Sequence, residues 1–181
     1  YNGFFLIVVV YLWMMLERRM NKYTQIIGVV ALIWRLALTT GTGAIFGFLV
    51  ARQAYDAAIM APLFIVMSFS FGLAIFLLVL MFSYRNTERI LGDAILQKLK
   101  NLLGVFVIAV LYFVVVQNLT NLYASEHQGV VAFILRDGGI YTQIFWIGQI
   151  TVGALIPLTL LYHPKTSKNR NVIALAASMI I

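Results

Sequence analysis

The sequence has no cysteine. That excludes disulfides, iron–sulfur ligation and thiolate metal sites within this chain. Charge is scarce too: 10% of residues are Asp, Glu, Lys or Arg, against roughly a quarter in a soluble domain. There are only two histidines, His127 and His163. A b-type haem in a membrane needs two facing histidines, but these lie at opposite ends of an apolar run, 140–162, which is ~34 Å long as a helix. Neither haem nor metal is expected in this chain. Residues 1–16 lack the basic start and small-residue cleavage site of a signal peptide. The Gly- and Thr-containing stretch 39–43 lacks the Gly-Lys-Ser/Thr ending of a P-loop, which argues against nucleotide binding. Internal repeats and low-complexity segments are absent from the sequence.

What is abundant is oil. Apolar residues make up 62% of the 181 positions, and several runs reach the ~20 residues needed to cross a bilayer. The sequence predicts an all-α, polytopic transmembrane helical bundle forming a single transmembrane domain over 1–181. Six spans are expected, at about 2–16, 24–38, 57–82, 99–122, 140–162 and 172–181. The chain starts at Tyr1 and stops at Ile181 inside an apolar run, which reads as an interior stretch of a longer protein. Apolar character persists from 24 to 51, longer than a membrane needs. The second span is therefore expected to end near Leu38, with 44–51 as a short re-entrant or interfacial piece.

The net charge of +7 does not point to nucleic acid, because the cations sit in short clusters between apolar runs. Arg18, Arg19 and Lys22 follow the first span. Arg85, Arg89, Lys98 and Lys100 follow the third, and Lys165, Lys168 and Arg170 the fifth. The other two connections hold only Arg52 and Arg136. Basic loops stay cytoplasmic, so the alternation orients every span and predicts a multi-pass protein of a bacterial or archaeal cytoplasmic membrane. Within the third connection, apolar positions 90, 91, 94 and 95 share one helical face. This predicts a surface helix over 86–98, capped by Asn86 or Thr87.

Polar groups inside a span cost free energy and are candidate functional residues. Arg35 is the first, either snorkelling to the headgroups or buried against a carboxylate or ligand oxygen. Thr39 and Thr40 follow it at one helical turn. With Gly41, Thr42 and Gly43 they read either as a nest of backbone N–H donors or as a chain break, with Gly43 and Gly47 allowing close helix approach. Tyr55, Asp56 and His127, with Glu126 and Asp137, fall in the outward loops. They are candidates for a proton exit, or are ordinary loop residues. Gln117, Asn118, Gln143 and Gln149 read as interhelical hydrogen-bond glue and Ser68 with Gly72 as packing, while Pro157 should kink the fifth span.

Residues 61–72, Ala-Pro-Leu-Phe-Ile-Val-Met-Ser-Phe-Ser-Phe-Gly, resemble the "PLF…S…G" helix of the NrfD/PsrC family of quinone-reactive membrane subunits. The order of segments is similar to the ten-helix branch of that family, which includes the Hyb hydrogenase membrane subunit and DsrP. Residues 133–139, then Phe145 and Trp146, look like the loop and helix before that family's eighth span. The family's polar patch would correspond here to 35–43, without a histidine. The resemblance covers nearly the whole chain, roughly the fourth to the ninth helix. It implies a quinone-interacting anchor subunit of a respiratory redox complex, in some relatives one of sulfur metabolism. Such a subunit exchanges electrons between menaquinone or ubiquinone and a ferredoxin-like iron–sulfur subunit on the outer face. Catalysis would belong to the oxidoreductase complex rather than to this chain alone. The alternatives are a secondary transporter, which a broken second helix would suit, and a structural anchor without quinone chemistry of its own.

Overall fold

The structure is a computed structural model that describes residues 2–17, 20–49, 57–87, 92–124, 128–164, 166 and 169–181. Helix α1 covers Asn2–Leu16, α2 Thr24–Gly47, α3 Met60–Asn86 and α4 Asp93–Tyr123. After α4 come a short helix α5 (Gln128–Ala132), a π-helical turn (Phe133–Asp137) and α6 (Ile140–Gln143). The chain then runs through a π-helical segment (Ile144–Leu155) into α7 (Ile156–Tyr162), and α8 covers Arg170–Ile180. Among the described residues, four helical stretches are long and apolar enough to cross a membrane: α2, α3, α4 and Ile140–Tyr162. The helices α1 and α8 are apolar and shorter.

Neighbouring spans run antiparallel, and α3 is the hub, packing against α2, α4 and α8. Its inner face supplies Ala74 and Leu77 to a core completed by Leu96, Leu103 and Val107 of α4, Leu161 of α7, and Ile173, Ala176 and Ala177 of α8. A second, smaller cluster joins Met60 and Leu63 to Val114. Other large apolar side chains point outward, such as Val79 and Phe82, 60% and 67% exposed. In water this would be an aggregation surface. In hydrocarbon it needs no cover, because lipid tails are as apolar as leucine.

Three expectations change, each for a physical reason. First, α2 does not end near Leu38 and no re-entrant piece begins at 44: the helix continues unbroken to Gly47. The threonines that suggested a break serve the helix instead. Thr39, Thr40 and Thr42 each donate a hydroxyl hydrogen bond to the carbonyl four residues earlier, at 2.9, 2.7 and 2.9 Å. Such back-bonding hides a hydroxyl inside an apolar segment. The same helical backbone rules out a nest of amide donors over 39–43.

Second, the surface helix over 86–98 is not a separate element. Asn86 is the last residue of α3, and Thr87 closes that helix by donating N–H and Oγ1 to Ser83 O at 3.1 and 2.6 Å. The fourth span begins at Asp93 rather than 99; residues 88–91 lie outside the described set. Asp93 in the first turn suits the helix dipole, and Leu96 of the following turn is buried while Ile95 is exposed. Lys100, counted with the loop cations, is buried in α4. The Tyr162 ring centroid lies 6.0 Å from its Nζ, and Gly104 leaves that ring its room.

Third, the fifth span is not a uniform α-helix. Pro157 has no N–H, and its ring crowds the carbonyl four residues back. The chain answers by widening before it: Ile156 N donates to Thr151 O, five residues earlier, and Thr151 Oγ1 donates to Trp146 O at 2.8 Å. Ordinary α-helix resumes in α7.

The helix seam that sets the site lies between α2 and α3. A Cβ on Gly43 would sit 2.7 Å from Ala61 Cα, and one on Gly47 2.8 Å from Ala57 O, so the two backbones touch there as the glycines foretell. Gly72 is different: a Cβ there meets nothing, and the small-residue pair with Ser68 makes no close approach.

Candidate functional site

One turn further along from the Gly43 contact, α2 and α3 part around a hollow of about 330 Å³. Its walls are Arg35, Leu38, Thr39 and Thr42 from α2, and Phe64, Met67, Ser68 and Phe71 from α3. Each helix thus contributes positions i, i+3, i+4 and i+7, a single face. Phe64 also stacks on Phe46, centroids 5.4 Å apart, on the Gly43 side of the hollow.

Arg35 lies near the middle of α2, not near its end. Eleven residues separate it from Thr24 and twelve from Gly47, or ~17 and ~18 Å along the axis at ~1.5 Å per residue. The guanidinium carbon lies 5.5 Å from the Phe4 ring centroid of α1, a cation–π contact. The only salt bridge among the described residues is elsewhere, Arg170 to Asp93. Thr39, four residues on, shares the Arg35 face and the lining. Thr40 does not: it is exposed, outside this lining. Tyr55, Asp56 and His127, like Glu126, lie outside the described residues.

A second hollow, of about 260 Å³, adjoins the first across Phe64 and Met67, which line both. Its polar wall is a row of side-chain amides: Gln117, Asn118 and Asn121 on α4, faced by Gln149 of the π-helical segment. Asn118 Nδ2 donates to Val114 O at 2.8 Å, within its own helix, and Asn121 is buried. Gln117, Asn118 and Gln149 read as glue in the sequence, yet with Asn121 they surround space. Gln143 is not among them. At the same end of the bundle, Trp146 Nε1 donates to Leu135 O at 3.1 Å. Thr142 Oγ1 accepts from Gly138 N and donates to Phe133 O, both at 3.1 Å. The turn over 133–139 is thereby stitched to the fifth span, with Gly139 at φ 56° to make the bend. Among the described residues, no group of three or more His, Asp or Glu gathers as a metal site.

Sequence reasoning missed the α3 half of the first hollow. The signal was available, since 64, 67, 68 and 71 repeat the spacing of 35, 38, 39 and 42. Chemically, the hollow offers a guanidinium and hydroxyls between two phenylalanines. It suits an oxygen acceptor carried on a flat apolar body.

Fold and site together define a multi-pass α-helical membrane protein with a cation and a lined hollow beside the middle of α2. The chain belongs to the NrfD polysulphide reductase family, whose model matches residues 1–181. It is 30% identical over 168 residues to the Hdr-like menaquinol oxidoreductase integral membrane subunit of Archaeoglobus fulgidus, covering 92% of this chain and 42% of that one. It is 27% identical over 145 residues to a selenate reductase subunit of Mesobacillus selenatarsenatis, covering 80% of this chain and 34% of that one. The chain thus spans less than half the length of these relatives. No solved structure matches it significantly.

Proposed function

We propose that this chain is part of the quinone-interacting membrane anchor subunit of a multi-subunit respiratory redox complex. It exchanges electrons between the quinone pool and an iron–sulfur partner on the outer face. The observation that carries this reading is Arg35, near the middle of α2 on the wall of a hollow that it shares with Thr39, Ser68, Phe64 and Phe71. A quinone has two carbonyl oxygens on a flat ring, which match donors set between aromatic walls. When bound it supplies two-electron, two-proton chemistry. Arg35 would hold one oxygen by a charge-assisted hydrogen bond and Ser68 would offer a hydroxyl donor, while Thr39, whose proton goes to Arg35 O, would steady the guanidinium as an acceptor. Tyr55, Asp56 and His127 remain the proposed proton route to the outer surface. The relative named a menaquinol oxidoreductase supports menaquinone as the quinone. Family membership supports a redox complex, and with no cysteine among these 181 residues this stretch supplies no thiolate ligand to an iron–sulfur cluster. The basic connections support an orientation with those loops on the cytoplasmic side, in the cytoplasmic membrane of a bacterium or archaeon. The transporter alternative rested on a broken second helix, and α2 is continuous.

The test is Arg35→Gln in the intact complex. Quinol-linked turnover should fall about tenfold or more, the loss expected for a charged hydrogen bond, with normal assembly and partial recovery in Arg35→Lys. Unchanged turnover in a fully assembled complex would remove Arg35 from the site.

A further inference from the structure

A larger hollow, about 520 Å³, lies at the opposite end of α3, between its last turns and the start of α8. Its polarity is graded. Arg85, in the last turn of α3, and Arg170, the first residue of α8, mark its mouth. Tyr84 and Asn171 stand beside them, and the wall then turns apolar at Leu78, Phe82 and Ala174. From Arg85 to Leu78 is seven residues, ~10 Å toward the bilayer centre at ~1.5 Å per residue. Arg170 is anchored from outside the lining: its Nη2 donates to Asp93 Oδ1 at 2.7 Å. Among the described residues, two guanidiniums against one carboxylate leave this mouth net positive. It also lies at the end to which the basic connections belong.

We infer that this hollow binds an anionic phospholipid of the cytoplasmic leaflet, its phosphate between Arg85 and Arg170 and an acyl chain along Leu78, Phe82 and Ala174. The chemistry is that of a basic pocket between helices on the anionic side of a membrane, with Tyr84 at headgroup level, where aromatic residues concentrate. A soluble phosphate would satisfy the arginines but leave the apolar wall without use. A neutral lipid would fill the wall and leave the cations unmatched. This site is separate from the Arg35 hollow and does not depend on its role.

The experiment uses the whole complex, stripped of lipid in a neutral detergent and titrated with phosphatidylglycerol, phosphatidylcholine or inorganic phosphate while thermal unfolding is followed. Phosphatidylglycerol should raise Tm saturably, and the other two should not at equal concentration. Arg85→Gln should weaken half-saturation about fivefold, the loss of one basic contact to anionic lipid, and Arg85→Lys should keep most of the affinity. Ala174→Trp, which fills the apolar wall and leaves both arginines, should abolish the effect. Arg35→Gln should leave the titration as in the unaltered complex. An equal rise with phosphatidylcholine, a rise reproduced by inorganic phosphate, or full phosphatidylglycerol affinity in both Arg85→Gln and Ala174→Trp would each overturn the proposal.

Discussion

Helix α2 and the span Ile140–Tyr162 reverse one another. In sequence α2 looks broken, with three threonines and two glycines inside five residues, and it is continuous. The fifth span looks unremarkable except for Pro157, and over Ile144–Leu155 it is π-helical. The difference lies in where each sequence places its donors. Threonine adds a hydroxyl donor that finds a carbonyl on its own helix, so nothing is left over. Proline removes a backbone donor, and the deficit spreads upstream as a change of hydrogen-bond register. In a bilayer, where water completes no backbone bond, the second event reshapes a helix more than the first.

The largest effect expected along these spans comes from the seam that the glycines of α2 permit. Gly43→Ala puts a methyl group 2.7 Å from the Ala61 backbone, and backbone yields less readily than a side-chain tip. Overpacking of this kind costs about 1–3 kcal/mol, and it would part α2 from α3 where the Arg35 hollow is held. Gly72→Ala is the control. Its methyl meets nothing, and the helix gains about 0.5–1 kcal/mol from the better helix former. Thermal unfolding of the purified complex should therefore move down for the first and not for the second. Equal shifts would mean that the seam does not set the packing of α2.

A middle-sized effect should follow from Pro157→Ala, which restores the missing donor. An N–H at 157 can reach the Gly153 carbonyl and draw 144–155 toward ordinary α-helix, turning Gln149 relative to the amides of α4. Hydrogen exchange across 144–155 should slow about tenfold, or about 1.4 kcal/mol of added protection against opening. Unchanged exchange would show that the wide turns have a cause other than the proline.

Much of this architecture was legible from run length, because that follows from the thickness of the membrane. Arg35 and Thr39 were legible as site candidates because an ionisable group in a span is costly enough to notice. The far wall was not: Phe64, Met67, Ser68 and Phe71 are ordinary apolar-helix residues, and only their register against α2 makes them a surface. The end of α2 was misplaced because Thr and Gly were weighed by their behaviour in water. The π-helical register left no trace in side-chain pattern, since it is a property of which carbonyl each amide meets.

The smallest expected effect is also the finest test of the α2 reading. Thr39 and Thr40 are chemically alike and adjacent, and each spends its hydroxyl proton on the carbonyl four residues back, at 2.9 and 2.7 Å. Valine in place of either keeps the shape and removes one back-bond, so the cost to the helix should be the same in both. Their oxygens differ in what they face: Thr39 lines the hollow with Arg35, and Thr40 does not. A hydroxyl oxygen that donates its proton still accepts, and beside a guanidinium it helps hold that group in place. Thr39→Val should therefore lower quinol-linked turnover about threefold to tenfold, the range for one neutral hydrogen bond. Thr40→Val should leave turnover within about twofold while matching Thr39→Val in Tm. If the two variants fall together in turnover, the threonines serve α2 alone and Arg35 acts without them. If Thr40→Val is the slower, the site lies on the Thr40 side of the helix, about 100° around from the Thr39 side.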